Sequence, residues 1–257
     1  MPPKIYKKST WGLYDPHANK PHRISRSKIE LFGQCPLCFY LDQRIGVKRP
    51  DMPGFSLNNA VDELLKREFD WHRARNEPHP MMVAAGIDAV PFNDPRMEEW
   101  RDALKRGVQY HHEKTNLIIR GGVDDIWVRP DGELIVVDYK ATSKKEEVTI
   151  EGYWQQPYKR QAEIYQWLLR RNGFQVSPTA YFVYVNGNSD AEKFDGRLEF
   201  DIKIIPYNGD DAWIEPAIEN IALCLKSDTP PERGQYCDYC LYRRAAGEEL
   251  LKLKKKA

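Results

Sequence analysis

Hydrophobic and polar positions sort first into two short stretches near the middle of the chain. Residues 122–128 and 133–139 are rich in β-branched and aromatic side chains and predict two strands. Arg129-Pro130-Asp131-Gly132 separates them, with proline suited to the second position of a type I turn, aspartate to the third and glycine to the fourth. Side chains alternate faces along a strand, so Asp138 and Lys140 point one way and Tyr139 the other. The partner strand carries Asp124 and Asp125, one of which shares that face. Two acids and a lysine therefore gather on one side of a hairpin.

Helical spacing marks other stretches. Leu57, Val61, Leu64, Leu65 and Phe69 predict a helix over 57–72. Asp62 lies at the edge of its apolar stripe with Leu65 and Phe69, whereas Glu63 lies on the polar side with Arg67 and Asp70. Trp100, Leu104 and Val108 predict a helix over 97–114, with His111 and His112 following; adjacent helical residues face apart, so both read as surface residues. Ser27-Lys28-Ile29-Glu30 reads as a capping box opening a short helix before Cys35. A later helix has Pro157 in its first turn and ends at Arg170, Arg171, Asn172 and Gly173. Gln161, Tyr165 and Leu168 share one face of it. Residues 179–185 and 197–205 predict strands, 211–225 a helix, and 87–91 an edge strand in a proline-rich stretch.

Composition changes this picture in three ways. The 257 residues, 41% hydrophobic and 12% aromatic, can fill the core of one large domain or two small ones. A net charge of +1 leaves polyanion binding to a local patch. There is no apolar run of about 18 residues and no apolar signal region near the N-terminus, so neither a membrane span nor secretion is expected. Five cysteines argue against a disulfide framework and for a reducing cytoplasm. The expected organisation is a basic arm over 1–24, one domain over 25–245 and a lysine-rich tail over 246–257.

The chemistry follows from the hairpin. Leu134 and Val136 share the Asp138 face, so this acid continues an apolar row, where an ionised carboxylate needs a partner or a metal. Magnesium takes carboxylate oxygens together with water and substrate phosphate, and a lysine beside it can hold or help deprotonate an attacking water. The structural alternatives are an Asp–Lys ion pair at a strand end and Asp62 bridged to a neighbouring Lys or Arg. Cys35-x-x-Cys38 and Cys237-x-x-Cys240 supply four thiolates, which suit tetrahedral zinc or an iron–sulfur cluster stapling distant segments. Cys224 falls on the apolar face of a helix and reads as core.

This order of motifs resembles the PD-(D/E)XK nuclease superfamily and, within it, the RecB-like branch. That pattern runs from an N-terminal Ser/Cys segment to a helix with a metal ligand, G-x-D, D-x-K and then Q-x-x-x-Y. Residues 25–41, Asp62, Gly122-Val123-Asp124, Asp138-Tyr139-Lys140, and Gln161 with Tyr165 look like these parts in order. The resemblance implies an α/β fold with a restriction-endonuclease-like core, a mixed central β-sheet flanked by α-helices. It implies metal-dependent hydrolysis of DNA phosphodiester bonds, with RNA not excluded and protein partners left open. Asp62, Asp124 and Asp138, with the carbonyl of Tyr139, would hold magnesium or manganese. Lys140 would position water and stabilise developing charge, and Gln161 and Tyr165 would form a wall of the site.

Two departures qualify this. The branch usually has His where Asp62 stands. The CRISPR-associated exonuclease family, which the chain also resembles, holds a four-iron cluster with one N-terminal and three C-terminal cysteines. Here Ala246 stands at the third C-terminal place, Cys38 is the remaining candidate ligand, and zinc and iron–sulfur both stay open. The rival function is a non-catalytic nucleic-acid-binding or assembly module that kept the fold. Its weakness is that such a module has no use for buried acids.

Overall fold

The computed structural model describes residues 8–50 and 54–254; Lys4 and Lys7 of the expected arm, and Lys255 and Lys256 of the expected tail, lie outside the described residues. Strand β1 (His22–Ser25) leads into helices α1 (Arg26–Gln34) and α2 (Pro36–Tyr40), a π-helical turn (Leu41–Ile45), α3 (Ser56–Arg73) and α4 (Pro80–Ala84). Then come β2 (Val90–Pro91), α5 (Met97–Arg101), β3 (Val108–His112), β4 (Leu117–Gly121), β5 (Asp125–Val128) and β6 (Leu134–Thr142). A 3₁₀ turn (Tyr153–Gln155) opens α6 (Gln156–Arg171), followed by β7 (Thr179–Gly187), β8 (Phe200–Asn208), α7 (Ile214–Lys226) and α8 (Asp238–Lys254).

One sheet has the order β1-β4-β3 and the other β2-β5-β6-β7-β8. In the second, β6 and β7 run parallel and the remaining pairs antiparallel, so it is the mixed sheet of the expected α/β class. The described residues divide into two compact units, one of residues 8–50, 111–118 and 215–254, the other of residues 54–110 and 119–214.

In the second unit the apolar run 134–137 of β6 is buried on both sides, as suits an interior strand with a parallel neighbour. Ile135, Val137 and Tyr139 pack with Val183 and Val185 against Leu65 and Phe69 of α3. The Phe69 ring stacks on Trp127 at 5.6 Å and on His79 at 4.4 Å. Leu57 and Leu64 face solvent, so the buried stripe of α3 is narrower than its apolar spacing predicts. The turn between β5 and β6 forms as expected: the Gly132 N–H donates to the Arg129 carbonyl at 3.0 Å, with Gly132 at φ +88°.

The predicted helix over 97–114 is not formed. It ends at Arg101, where the Asp102 carboxylate accepts from the Lys105 N–H at 3.0 Å and closes a turn. Gly107, at φ +76°, brings the backbone so near β4 that a Cβ there would lie 2.6 Å from the Gly121 carbonyl oxygen. Beyond it the chain is β3, and Leu104 is exposed. His111 and His112 thus lie on a strand. His111 is exposed, but His112 is buried, with Thr115 on Nδ1 and Glu215 on Nε2, so only one of the two is a surface residue.

In the first unit the capping box is also absent: α1 starts two residues earlier, with Ser25 at its cap, and the Ser25 hydroxyl pairs with the Ser27 hydroxyl. Helix α8 continues through most of the expected tail, to Lys254. No helix of the described residues is long and apolar enough to cross a membrane.

Candidate active site and metal centre

The register that sets Asp125 opposite Val137 continues to set Asp124 opposite Asp138, so these two acids share a face. Asp124 sits at the bend before β5, and its Oδ2 accepts the Tyr139 N–H at 3.1 Å. Asp125 takes the other face and is fully buried. It accepts from Arg73 at 2.5 Å, from Arg101 at 3.2 Å and from the Tyr139 hydroxyl at 2.6 Å. Arg101 also donates to the Asp124 carbonyl at 3.0 Å, so this network pins the bend that presents Asp124.

Asp138 is 0% exposed. Its Oδ1 accepts from the Gln161 amide at 2.7 Å, and that amide reaches the Tyr165 hydroxyl at 3.1 Å. Its Oδ2 meets the Lys140 ammonium as an ion pair but accepts no directed hydrogen bond. The ammonium also lies 4.7 Å from the centre of the Tyr158 ring. Five of the expected residues, Asp124, Asp138, Lys140, Gln161 and Tyr165, are thus brought together.

Burial pushes the Asp138 carboxyl up to about 7; the Lys140 ammonium opposes this and the Asp124 carboxylate adds to it. A carboxyl whose pKa rises on folding holds its proton more tightly in the native chain. Its contribution to stability is therefore complete below the ordinary value of 3.8 and is lost as pH climbs to about 7. Thermal melts of metal-stripped protein across that window should fall more steeply for the wild type than for Asp138→Asn. Parallel slopes would show that this carboxyl is not protonated at neutrality.

Asp62 reaches the group through a cation. Lys66, one turn along α3, donates to Asp62 Oδ2 at 2.6 Å and to Asp124 Oδ1 at 3.5 Å. Burial raises the Asp62 pKa. At Lys66 burial is outweighed by Asp124 and Asp62, so its pKa also rises. Sequence reasoning named the possibility of a Lys or Arg partner for Asp62 but not Lys66 itself, although the i,i+4 spacing was there to find it. Glu63 pairs with Arg67 in solvent, as its polar position predicts.

Three carboxylates here face two ammoniums, Lys66 and Lys140, and Asp138 Oδ2 lacks a directed donor. Among the described residues these oxygens do not close to within 4.8 Å as a set. Three clustered carboxylates are hard oxygen donors and fit a divalent cation, which would compete with the Lys140 ammonium for Asp138 Oδ2.

In the first unit the four cysteines do converge. Cys35, Cys38, Cys237 and Cys240 are buried, with all four Sγ atoms within 4.8 Å of one another. Cys38 lies 3.6 Å from both Cys237 and Cys240, and Cys35 lies 3.8 Å from Cys240. Donors surround them: Cys35 Sγ accepts from the Gly234 N–H at 3.2 Å and the Cys38 N–H at 3.4 Å, and Cys237 Sγ from Arg49 at 3.3 Å. Gly234 can come this near because it lacks a side chain; a Cβ would lie 2.1 Å from the Gln34 carbonyl oxygen. Burial raises the Cys35 thiol, yet the Gly234 and Cys38 N–H groups, together with the Cys237 and Cys38 thiols, more than offset it and bring the pKa down to about 7. Soft, buried and donor-stabilised sulfurs fit a thiophilic metal. Cys224 is half-buried and stands apart from the group.

No curated protein matches the sequence. The crystal structure of SSO0001 aligns over 83% of this chain and 81% of its own, at 15% identity and a TM-score of 0.35. That of an alkaline exonuclease (LHK-Exo) from Laribacter hongkongensis aligns over 91% of this chain and 93% of its own, at 13% identity and a TM-score of 0.34. The family model of the PD-(D/E)XK nuclease superfamily matches residues 23–245, a span that takes in both the carboxylate group and the cysteines, and the chain belongs to that superfamily.

Proposed function

We propose that the protein is a divalent-metal-dependent nuclease that hydrolyses phosphodiester bonds in DNA. The observation that carries this reading is the convergence of Asp124, Asp138, Lys140 and Gln161 on one face of β6. Asp62, Asp124, Asp138 and the backbone carbonyl of Tyr139 would hold magnesium or manganese. The metal supplies polarisation of the phosphoryl oxygen and a lowered pKa for bound water. Lys140 orients the water and offsets charge that develops on the phosphate. Gln161 fixes the Asp138 carboxylate, and the network of Arg73, Arg101 and Asp125 fixes Asp124. The order of these parts along the chain supports the RecB-like branch.

The test is incubation of purified protein with labelled single- and double-stranded DNA, and RNA of the same sequence, in magnesium, manganese or chelator. Metal-dependent release of DNA fragments is expected. Cleavage that survives chelator, or the absence of cleavage under every condition, would overturn the reading.

Asp62 is tested apart from activity. Asp62→Asn should weaken manganese binding in calorimetry by about tenfold, roughly the cost of one charged ligand, while Glu63→Gln leaves it unchanged. Lys66→Met should strengthen it, because the ammonium between Asp62 and Asp124 competes with the ion. Equal titrations for the Asp62 and Glu63 variants would remove Asp62 from the ligand set.

For the cysteines we propose one structural zinc. A tetrahedral ion with Zn–S bonds of about 2.3 Å sets its sulfurs about 3.8 Å apart. The observed separations of 3.6–3.8 Å support that reading over a cluster, whose inorganic core would have to fit between the thiolates.

A further inference from the structure

The face of α6 that meets Asp138 does not end where the helix begins. Trp154, Tyr158, Gln161 and Tyr165 recur at intervals of three or four residues and form one stripe. Gln161 holds Asp138 and the Tyr158 ring lies beneath the Lys140 ammonium, so the stripe is the wall of the carboxylate group. Its outermost member, Trp154, sits in the 3₁₀ turn about 6 Å along the axis from Tyr158. It is 79% exposed and Tyr153 beside it 75%. The two rings meet edge to face at 5.4 Å, an arrangement that braces the indole while leaving ring surface open. Trp71, by contrast, is half-exposed but has Arg75 over its ring at 3.6 Å.

We infer that Tyr153 and Trp154 form a stacking platform for unpaired bases of the polynucleotide strand whose phosphate lies at Asp138 and Lys140. The inference rests on the nuclease reading above and adds a preference for a single strand or an unpaired end. Bases inside a duplex already stack on their neighbours, whereas unpaired bases offer both faces to an aromatic side chain regardless of sequence. The surroundings of the pair suit this occupant. Glu151, Gly152, Gln155 and Gln156 flank the rings in sequence, and Lys159 neutralises Glu151 at 3.1 Å, a polar setting that suits hydrated phosphate and sugar.

The measurement is fluorescence anisotropy in buffer with neither magnesium, manganese nor chelator, so that no cleavage occurs and the cysteines keep their metal, with the full chain and two labelled probes: a mixed-sequence single-stranded oligodeoxynucleotide and the matching blunt duplex. Trp154→Ala should weaken single-strand binding by about 5- to 100-fold. Trp154→Phe should restore most of it, and blunt-duplex affinity should not change. Because both rings are exposed, the substitutions leave the core untouched, which identical thermal melts would verify. Unaltered single-strand affinity in Trp154→Ala, or an equal loss for the duplex, overturns the platform alone, as it would if the pair docks another protein. No binding of either probe by the wild type overturns the platform and the nuclease reading together.

Discussion

Asp138→Asn should lower cleavage of labelled DNA by about 10²–10⁴-fold, and Lys140→Met should do the same, with neither variant unfolding. The argument starts from burial. A fully buried carboxylate destabilises the native chain unless a cation meets it, and at Asp138 Oδ2 the only cation among the described contacts is the Lys140 ammonium. If the ion pair with Lys140 were purely structural, breaking it from either side would cost stability and leave chemistry alone. The geometry favours the opposite outcome. Asn keeps the shape of the side chain and an acceptor for Gln161 but loses the charge a metal needs, and it removes a buried carboxylate with a raised pKa. Its melting temperature at neutral pH should therefore equal or exceed that of the wild type while activity is lost. Lys140 is 15% exposed in its side chain, and methionine, an unbranched side chain of similar length, can fill much of the same space without the ammonium. Near-wild-type cleavage by either folded variant would return the pair to the ion-pair reading.

What the sequence made legible here was local. The hairpin was readable because a turn tetrapeptide separates two β-rich runs, and alternation along β6 placed Asp138 and Lys140 together. Helices α3 and α6 were readable from apolar spacing and their end residues. The choice of Asp124 over Asp125 came only from the G-x-D resemblance, since the pattern of the residues alone does not fix the cross-strand register. Asp125 is satisfied by Arg73 and Arg101, which come from two different helices, and nothing in the local pattern pairs them. The false helix over 97–114 has a similar origin. Trp100, Leu104 and Val108 fit helical spacing, but Val108, Tyr110 and His112 fit a strand equally well. What decides is Gly107 pressed against Gly121, a contact between distant residues. The stripe of Trp154, Tyr158, Gln161 and Tyr165 was readable in principle, but Trp154 gains meaning only once Lys140 is seen over Tyr158.

Replacing any one of Cys35, Cys38, Cys237 and Cys240 with Ser should release about one zinc per chain and lower the melting temperature by about 10 °C, and a strong chelator should do the same to the wild type. Segments about 200 residues apart in sequence, 35–38 and 237–240, meet at this point (237 − 38 = 199). The unfolded chain has no such assembled site, so metal bound there stabilises the native state by mass action. The donors around the sulfurs strengthen the case. Two backbone N–H groups aim at Cys35 and a guanidinium at Cys237, and such donors stabilise a thiolate at those two positions. Without a cation, burial raises the Cys38 and Cys240 thiols, so the four sulfurs within 4.8 Å of one another could not all ionise together; a bound metal would let them. Gly234→Ala should mimic the cysteine variants, because its Cβ would displace the N–H that holds Cys35. Cys224→Ser is the control: half-buried and outside the group, it should keep the metal and cost only a modest packing loss. Elemental analysis of protein purified without oxygen decides the identity. Colourless protein with zinc supports the tetrahedral ion, and iron with a brown chromophore replaces it with a cluster. Protein with neither metal, and a melting temperature indifferent to chelator, would leave four buried thiols and no centre.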